Sequence, residues 1–493
     1  MASAFKEYKG LDLPKLGEEI LDYWKRDNIF EKSIAIRENA EPFVFFEGPP
    51  SANGMPGIHH VMARAIKDIF CRYKTQKGFK VDRKAGWDTH GLPIELGVEK
   101  ELGITKEDIG KKISVEAYNE ACRKAVMRYT DAWNKVTESY GYWVDMDDPY
   151  KPKYMETVWW LLKQIYNKDL LYKGYTIQPY SPKAGTGLSS HELNQPGTYQ
   201  DVTDTTVVAQ FKAVATTLPD FLAEESNEIY FLAWTTTPWT LPSNTALTVG
   251  SKIEYVLVKT YNQYTYQPIY VVLAKNLVGK QFDGKFQQVE NKEAVAAYKQ
   301  GDKKIPFYVV KECKGADLLE IRYEQLLDYA QPHDHPENAF RIIAGDFVTT
   351  EDGTGIVHTA PTFGADDALV AKQATPEVPP LLVKDENGNL VPLVDLQGKF
   401  RPELGDLGGK YVKNEYYADG EAPEKSVDVE LAIKLKIENR AFKVEKYVHS
   451  YPNCWRTDKP ILYYPLDSWF IKVTEFRDRM HELNQTINWK PKA

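Results

Sequence analysis

The residues best suited to chemistry fall in four short segments. The first is Glu47-Gly48-Pro49-Pro50-Ser51-Ala52-Asn53-Gly54 with Gly57-Ile58-His59-His60 just beyond it, and the second is Gly86-Trp87-Asp88-Thr89-His90-Gly91-Leu92-Pro93. The first loop is too rich in turn formers to continue a helix or strand, and it runs into a helix expected from about 60 to 73. A loop that enters a helix start presents unpaired N–H groups and the positive end of the helix dipole, which favour an anion such as phosphate. A nucleotide site is the natural reading. The second loop supplies Asp88, an acid for a small cationic group in the same cleft. A metal held by His59 and His60 is disfavoured, because adjacent helical residues project about 100° apart. The other two segments are Thr235-Thr236-Thr237, which ends a strand-like run and offers adjacent hydroxyls, and His358 with Asp367 nine residues on. Each alone has a plain explanation: β-propensity for the threonines, a hydrogen-bonded core position for His358, a solvated turn for Asp366-Asp367.

The elements around them suggest how they are held. Leu16, Ile20, Leu21, Trp24 and Ile29 recur at helical spacing over 14–30, and the apolar run 43–46 reads as a buried strand leading into the first loop. In the helix that follows, Val61, Ala65, Ile69 and Tyr73 recur every four residues beside Met62, Ile66 and Phe70, a broad apolar face expected to pack on a parallel sheet. Its start then points at the carboxyl edge of that sheet, where open α/β sheets bind ligands. A short strand is expected near 79–81 and long helices around 115–141 and 155–170. Trp159-Trp160-Leu161-Leu162 is expected to be buried helix packing, and Lys151 to Lys153 and Lys303-Lys304 to be solvated surface. Near residue 195 the pattern changes to short β-branched and aromatic runs, at 207–211, 229–234, 255–258, 270–273 and 307–310. The expected fold class is therefore α/β, a Rossmann-like parallel-sheet nucleotide-binding domain over 1–195, interrupted by a mostly β module over 196–440. The chain returns to the first domain over 441–493, near His449-Ser450-Tyr451-Pro452.

Composition narrows the classes. The 493 residues exceed what one hydrophobic core organises and predict two or three domains. No apolar run approaches the roughly 18 residues of a membrane helix, and the opening MASAFKEYKG lacks the features of a secretory signal, so a cytoplasmic protein without a membrane partner is expected. Cys71, Cys122, Cys313 and Cys454 stand singly at long spacings, which suits neither a disulfide framework nor a zinc site. A net charge of −8 argues against binding nucleic acid by bulk electrostatics.

Taken together the segments carry a family resemblance. Gly48-Pro49-Pro50-x-Ala52-Asn53-Gly54, Gly86 to Pro93, Trp234-Thr235-Thr236-Thr237-Pro238-Trp239-Thr240-Leu241-Pro242, and Gly353-Thr354-Gly355-Ile356-Val357-His358-Thr359-Ala360-Pro361 with Asp366-Asp367 are similar, in order, to isoleucyl-tRNA synthetase motifs. His449 to Arg456 and Ser468-Trp469-Phe470 extend the likeness over nearly the whole chain. Asp88-Thr89-His90-Gly91 resembles the isoleucine version of its loop rather than those of the valine and leucine enzymes. The resemblance implies ATP-dependent activation of L-isoleucine and transfer to tRNA(Ile), with magnesium expected beside ATP, no zinc site in this part, and a monomer. It assigns Gly48 and Pro49 to the amino-acid pocket and Asp88 to the substrate ammonium, which a buried carboxylate would suit. It assigns Asn53, Gly57, His59 and His60 to ATP, and His59 and His60 also to catalysis. Where the family has His-x-Gly-His this chain reads Gly57-Ile58-His59-His60, so His59 is either a relocated phosphate ligand or an obstruction.

The same resemblance makes the β module an editing domain. Isoleucine against valine is the standard illustration that one methylene is worth only about 1–3 kcal/mol, so a second, hydrolytic site must remove valine from Val-tRNA(Ile). By the resemblance Asp367 anchors the ammonium, His358 bonds the terminal ribose or the valyl group, and Thr235, Thr236 and Thr237, with Trp239 in the same motif, restrict the pocket and orient water. The family's Lys-Met-Ser-Lys-Ser loop does not occur here. The chain therefore reads as an N-terminal piece with an incomplete second half of the catalytic fold, not expected to charge tRNA by itself. Two other readings stand beside this one: a module that binds tRNA ends or a partner without catalysis, and a valine or leucine synthetase.

Overall fold

The computed structural model describes residues 10–147, 152–226 and 228–489. The opening segment before Gly10, Lys151 of the short basic cluster and the last four residues lie outside the described residues. The chain forms two compact units, Met1–Leu170 and Leu171–Ala493.

The first unit is helical: α1 (Leu13–Arg26), α2 (Ile29–Ala35), α3 (Ile58–Gln76), α4 (Leu92–Leu102), α5 (Val115–Val126), α6 (Thr130–Ser139) and α7 (Pro152–Tyr166). Asp12 caps α1 through the Lys15 N–H, and Ser114 caps α5 through the Ala117 N–H. Two parallel bridges, Pro42 with Lys80 and Lys84 with Asp145, join the segments between helices. The run 43–46 makes no longer ladder than this, and Val44 and Phe46 are exposed rather than buried. The helix expected from about 60 to 73 is α3, but the face it buries is polar. Arg64, Asp68, Cys71 and Thr75 point inward, while Met62, Ile66, Ile69, Phe70 and Tyr73 face out. Arg64 explains the orientation: its guanidinium donates to Thr137 Oγ1 at 2.6 Å and lies over the Trp133 and Tyr142 rings, combining a hydrogen bond with two cation–π contacts. Trp159, Trp160, Leu161 and Leu162 of α7 are exposed, against the expectation of buried packing.

The second unit is built on a mixed sheet of ten strands. Chain order is β1 (Leu171–Ser181), β2 (Thr186–Gly187), β3 (Tyr199–Lys212), β4 (Ile229–Thr235), β5 (Ala246–Val249), β6 (Glu254–Tyr261), β7 (Pro268–Ala274), β8 (Phe286–Gln288), β9 (Ile305–Lys314), β10 (Arg341–Ala344), β11 (Ile356–Thr359), β12 (Leu382–Lys384), β13 (Leu390–Pro392), β14 (Ala441–Pro452) and β15 (Leu462–Ile471). All five expected strand runs are present. The main sheet reads β10-β5-β11-β4-β7-β6-β9-β8, with β3 between β4 and β14; β15-β1-β2 and β12-β13 form two small sheets. Alternate residues feed separate cores on the two faces: Val207, Ala209, Phe211, Phe231 and Ala233 on one, Val208, Leu232, Val256, Val258 and Phe442 on the other. Burial on both faces is why these strands read as continuous apolar runs. The four cysteines are free, Cys71 and Cys454 of them buried.

The route of β4 matters most. β3 pairs along one edge of it from Lys212↔Tyr230 to Val207↔Thr235, so its other edge is shared, by β7 at its start and by β11 at its end. The single pair Val357↔Trp234 sets the end of β11 beside the exit of β4. His358 is thereby carried to the threonines that follow Trp234.

Candidate functional site

Each unit holds one of the expected constellations. In the first, Gly57 stands extended before α3, and the first turn is closed by His60, whose Nδ1 accepts the Gly57 N–H at 3.0 Å. The ring proton of neutral His60 therefore sits on Nε2. Burial first, then His59 and Arg64, hold its pKa below the ordinary value. The His60 ring stands edge-on to Trp133 and 3.8 Å from that of His59, which is exposed and folds back over Gly57. Trp133, on α6, also donates its indole N–H to Gly54 O at 2.9 Å, and the Tyr129 N–H reaches Ala52 O at 3.0 Å. The glycine-rich loop is thus fixed from α6, by residues nothing in the sequence motif marks.

A cleft of about 360 Å³ opens at this point, lined among others by Glu47, Gly48, Asn53, His60, Arg64 and Lys67. The second loop abuts the first: Asp88 N–H donates to Pro50 O at 2.9 Å, and Gly86 faces the Pro49 ring. Gly48, Asn53 and His60 therefore share one cleft, with Pro49 and Asp88 on the loops joined beside it. Asp88 itself is exposed, so the buried carboxylate expected there is not found. Its loop is tied down by main-chain bonds, which leave the side chain to solvent.

In the second unit Thr235, Thr237, Thr240 and His358 are joined in one hydrogen-bonded network, and Asp367 is bonded to the backbone two residues beyond His358. Thr235 is the last residue of β4; its hydroxyl accepts the Thr237 N–H at 3.1 Å and lies 3.4 Å from Thr237 Oγ1. Beyond it runs a 3-10 helix, Pro238–Ser243, whose Thr240 lies 2.9 Å from His358 Nε2. Asn244, next along the chain, reaches His358 Nδ1 at 3.0 Å. The protonation follows from the partners. Asn244 Nδ2 also serves Ala246 O at 2.8 Å, a carbonyl that only accepts, so the amide nitrogen is on this side and His358 Nδ1 is the acceptor. His358 then carries its proton on Nε2 and donates to Thr240 Oγ1, which donates onward to Thr237 O at 2.8 Å. Tyr323 closes the far end by donating to Asn244 Oδ1 at 2.6 Å.

His358 is buried, and burial lowers its pKa to about 4. Its only lone pair is committed to Asn244. The imidazole is accordingly a fixed orienting group rather than a proton acceptor. Asp367 lies in the first turn of the helix Ala365–Gln373 and accepts the Ala360 N–H at 2.8 Å, two residues beyond His358. Burial pushes its carboxyl up to about 6, the Ala360 N–H opposes this, and Asp366 adds to it. An acid raised in this way is short of a cation, which a substrate ammonium would supply. Trp239 is placed differently: its ring is 3% exposed and packs on Phe363 in the core. Thr236 is half-buried at the head of the turn. Thr240, Asn244 and Tyr323 were not singled out from sequence, although the first lies inside the quoted motif and the second two residues past it.

The burial of His358 has a measurable consequence. With an ordinary pKa of 6.5 when unfolded and about 4 when folded, the unfolded chain binds the extra proton between those values, so stability falls as pH drops through that window. Asp367 acts oppositely: its folded carboxyl holds a proton up to about pH 6, so its contribution falls as pH rises from its unfolded value near 3.8. Comparing His358→Gln with the parent by urea unfolding isolates the histidine. Between pH 7 and pH 5 the parent is expected to lose about 2 kcal/mol more than the variant. Equal losses would show that His358 is accessible to protons in the folded chain.

The profile of tRNA synthetases class I (I, L, M and V) matches residues 19–493. Curated relatives include the isoleucine–tRNA ligase of Cytophaga hutchinsonii, 60% identical over 98% of this chain and 44% of that protein, and that of Bacteroides fragilis, 58% identical over 100% and 44%. The same ligase of Clostridium tetani is 42% identical over 98% of the chain and 41% of that protein. The chain spans under half the length of these relatives. Among solved structures, GlLeuRS-CP1 matches with a TM-score of 0.31 and 14% identity over 50% of this chain and 100% of its own. With the profile running over nearly every residue, the chain belongs to the class I tRNA synthetases (I, L, M and V).

Proposed function

We propose that the second unit is the hydrolytic editing site of an isoleucine–tRNA ligase, which removes valine from Val-tRNA(Ile). The observation that carries this reading is the network of hydroxyls and neutral imidazole gathered where β4 and β11 end, with the Asp367 carboxylate held on the backbone two residues beyond His358. In it Asp367 receives the ammonium of the aminoacyl ester. Thr235, Thr236 and Thr237 border the side-chain pocket and orient a water, with Thr240, His358 and Asn244 holding that turn rigid. Water adds to the ester carbonyl, the terminal ribose oxygen leaves with a proton, and valine and free tRNA result. Isoleucine is excluded by one methylene, worth about 1–3 kcal/mol. The module at 196–440 is the inserted domain, and the pairing of β3 with β14, from Ala209↔Ala441 to Tyr199↔Pro452, brings its two chain crossings side by side at the base.

The first unit is proposed to contribute to activation of isoleucine, with Gly48, Pro49 and Asp88 toward the amino acid and Asn53, Gly57, His59 and His60 toward ATP. Lys67, paired with Glu47 at 2.8 Å, brings a positive charge to the cleft, which suits a phosphate. When bound, ATP supplies the adenylate that activates the carboxyl group. Identity of 58–60% to isoleucine–tRNA ligases supports isoleucine and tRNA(Ile) as substrates of the whole protein.

The reading is tested by titrating the chain with a non-hydrolysable amide of valine on a terminal adenosine, followed through the threonine methyl signals. The valyl amide should shift Thr235, Thr236 and Thr237 and bind roughly 10- to 200-fold more tightly than the isoleucyl amide. Equal binding of the two, or binding that leaves these signals unmoved, would count against an editing site here.

A further inference from the structure

A second group of buried charges lies behind the threonine turn. Asp428, in the first turn of the helix Val427–Ile437, is 4% exposed. Its Oδ1 accepts the Trp239 backbone N–H at 2.8 Å, and its Oδ2 lies 3.9 Å from Lys413 Nζ. Lys413 is buried as well; it donates to Asp204 Oδ2 at 2.9 Å and stands 4.8 Å from the centre of the Tyr451 ring. Asp204 Oδ2 is also 3.2 Å from His449 Nε2.

A buried carboxylate is costly, and sharing one ammonium between two of them recovers only part of that cost. The attraction to Lys413 alone does not account for Oδ1, which is aimed at a main-chain amide 189 residues earlier. That amide belongs to the opening turn of a 3-10 helix, where N–H groups have no partner inside the helix. The same six residues carry Thr240, the acceptor for His358 Nε2–H, and lead into Asn244, the donor to Nδ1. The seat of this short helix therefore sets both bonds that lock His358.

We propose that Asp428 is a positioning residue for the editing site: its Oδ1 holds the Trp239 amide, and with it the segment from Pro238 to Asn244 that clamps His358, while Lys413 fixes the carboxylate. The consequence for hydrolysis rests on the editing reading; the effect on His358 does not. Asp428→Asn keeps an acceptor for Trp239, because a donor facing a donor at 2.8 Å costs more than one 3.9 Å from the lysine. Asp428→Leu keeps the volume and removes the acceptor.

Three readouts are made on the chain and both variants: amide exchange at Trp239, the imidazole titration of His358 by NMR, and single-turnover hydrolysis of Val-tRNA(Ile). The parent and Asp428→Asn should protect the Trp239 amide and keep His358 neutral well below pH 6.5, with rates within about 3-fold of each other. Asp428→Leu should expose the amide, move the His358 midpoint up toward its ordinary value, and lower the rate constant roughly 30-fold with KM little changed, the signature of lost orientation. Three results would overturn the proposal: fast exchange at Trp239 in the parent, a folded Asp428→Asn variant as impaired as Asp428→Leu, or a folded Asp428→Leu variant with unaltered His358 titration and rate. Should Asp428→Leu fail to fold, the first two still decide. Should the parent show no hydrolysis while Trp239 and His358 behave as expected, the editing reading falls and the positioning role stands.

Discussion

Replacing Asp367 by alanine is expected to lower hydrolysis of Val-tRNA(Ile) by about 30-fold or more in kcat/KM, since removing one partner of a buried charge pair costs about 2–5 kcal/mol. The Asp367 carboxylate supplies the negative charge that an ammonium needs. His358 is neutral and the rest are hydroxyls and amides. Asp367→Asn separates charge from shape, because it retains an oxygen for the Ala360 N–H. A loss as large as that of alanine, with unchanged thermal stability, would assign the effect to charge. The pH dependence has a definite sign. A carboxyl titrating near pH 6 loses its charge as pH falls, so hydrolysis by the parent should decline below that value. A rate that is level down to pH 5, or an Asp367→Ala variant with parental activity, would remove Asp367 from ammonium binding.

A large effect on stability is expected at Gly355, just before β11. Its φ is +75°, and a Cβ there would stand 2.3 Å from Ala274 Cβ. Its carbonyl accepts the hydroxyl of fully buried Tyr255 at 2.6 Å, so the backbone cannot step aside without breaking that bond. Left-handed backbone strain and overpacking each cost about 1–3 kcal/mol. Gly355→Ala should therefore destabilise the second unit by roughly 3 kcal/mol and lower Tm by roughly 6–12 °C. Because β11 presents His358, activity should fall with it. A change in Tm below about 2 °C, read by circular dichroism, would show that the strand has more freedom than its contacts imply.

The β module was the more legible half. Its strands lie between two cores, so each is a run of β-branched and aromatic residues with turn formers between, and the change of pattern near residue 195 is visible by eye. The helices were legible for the same reason of spacing, but their orientation was not. Nothing in the repeat of Met62, Ile66, Ile69 and Phe70 says that Arg64 will turn α3 the other way, since that depends on Thr137, Trp133 and Tyr142 far along the chain. At the site, the threonines, His358 and Asp367 stood out because they sit in quoted motifs. Asn244 was missed as an ordinary loop residue, and Tyr323 and Asp428 because their partners, Asn244 and Trp239, lie 79 and 189 residues away along the chain. The pairing of β11 with β4 at Val357↔Trp234 and with β5 from Ile356↔Val249 to Thr359↔Ala246 joins segments more than a hundred residues apart, and register of that kind is set by the whole sheet.

The most direct test is single-turnover deacylation of Val-tRNA(Ile) by this chain, with Ile-tRNA(Ile) under the same conditions. Release of valine at least about 10-fold faster than isoleucine is the predicted result, matching the discrimination one methylene allows. Equal rates for the two esters, or no release above the spontaneous rate by a folded chain that binds the tRNA, would contradict an autonomous editing site at the junction of β4 and β11.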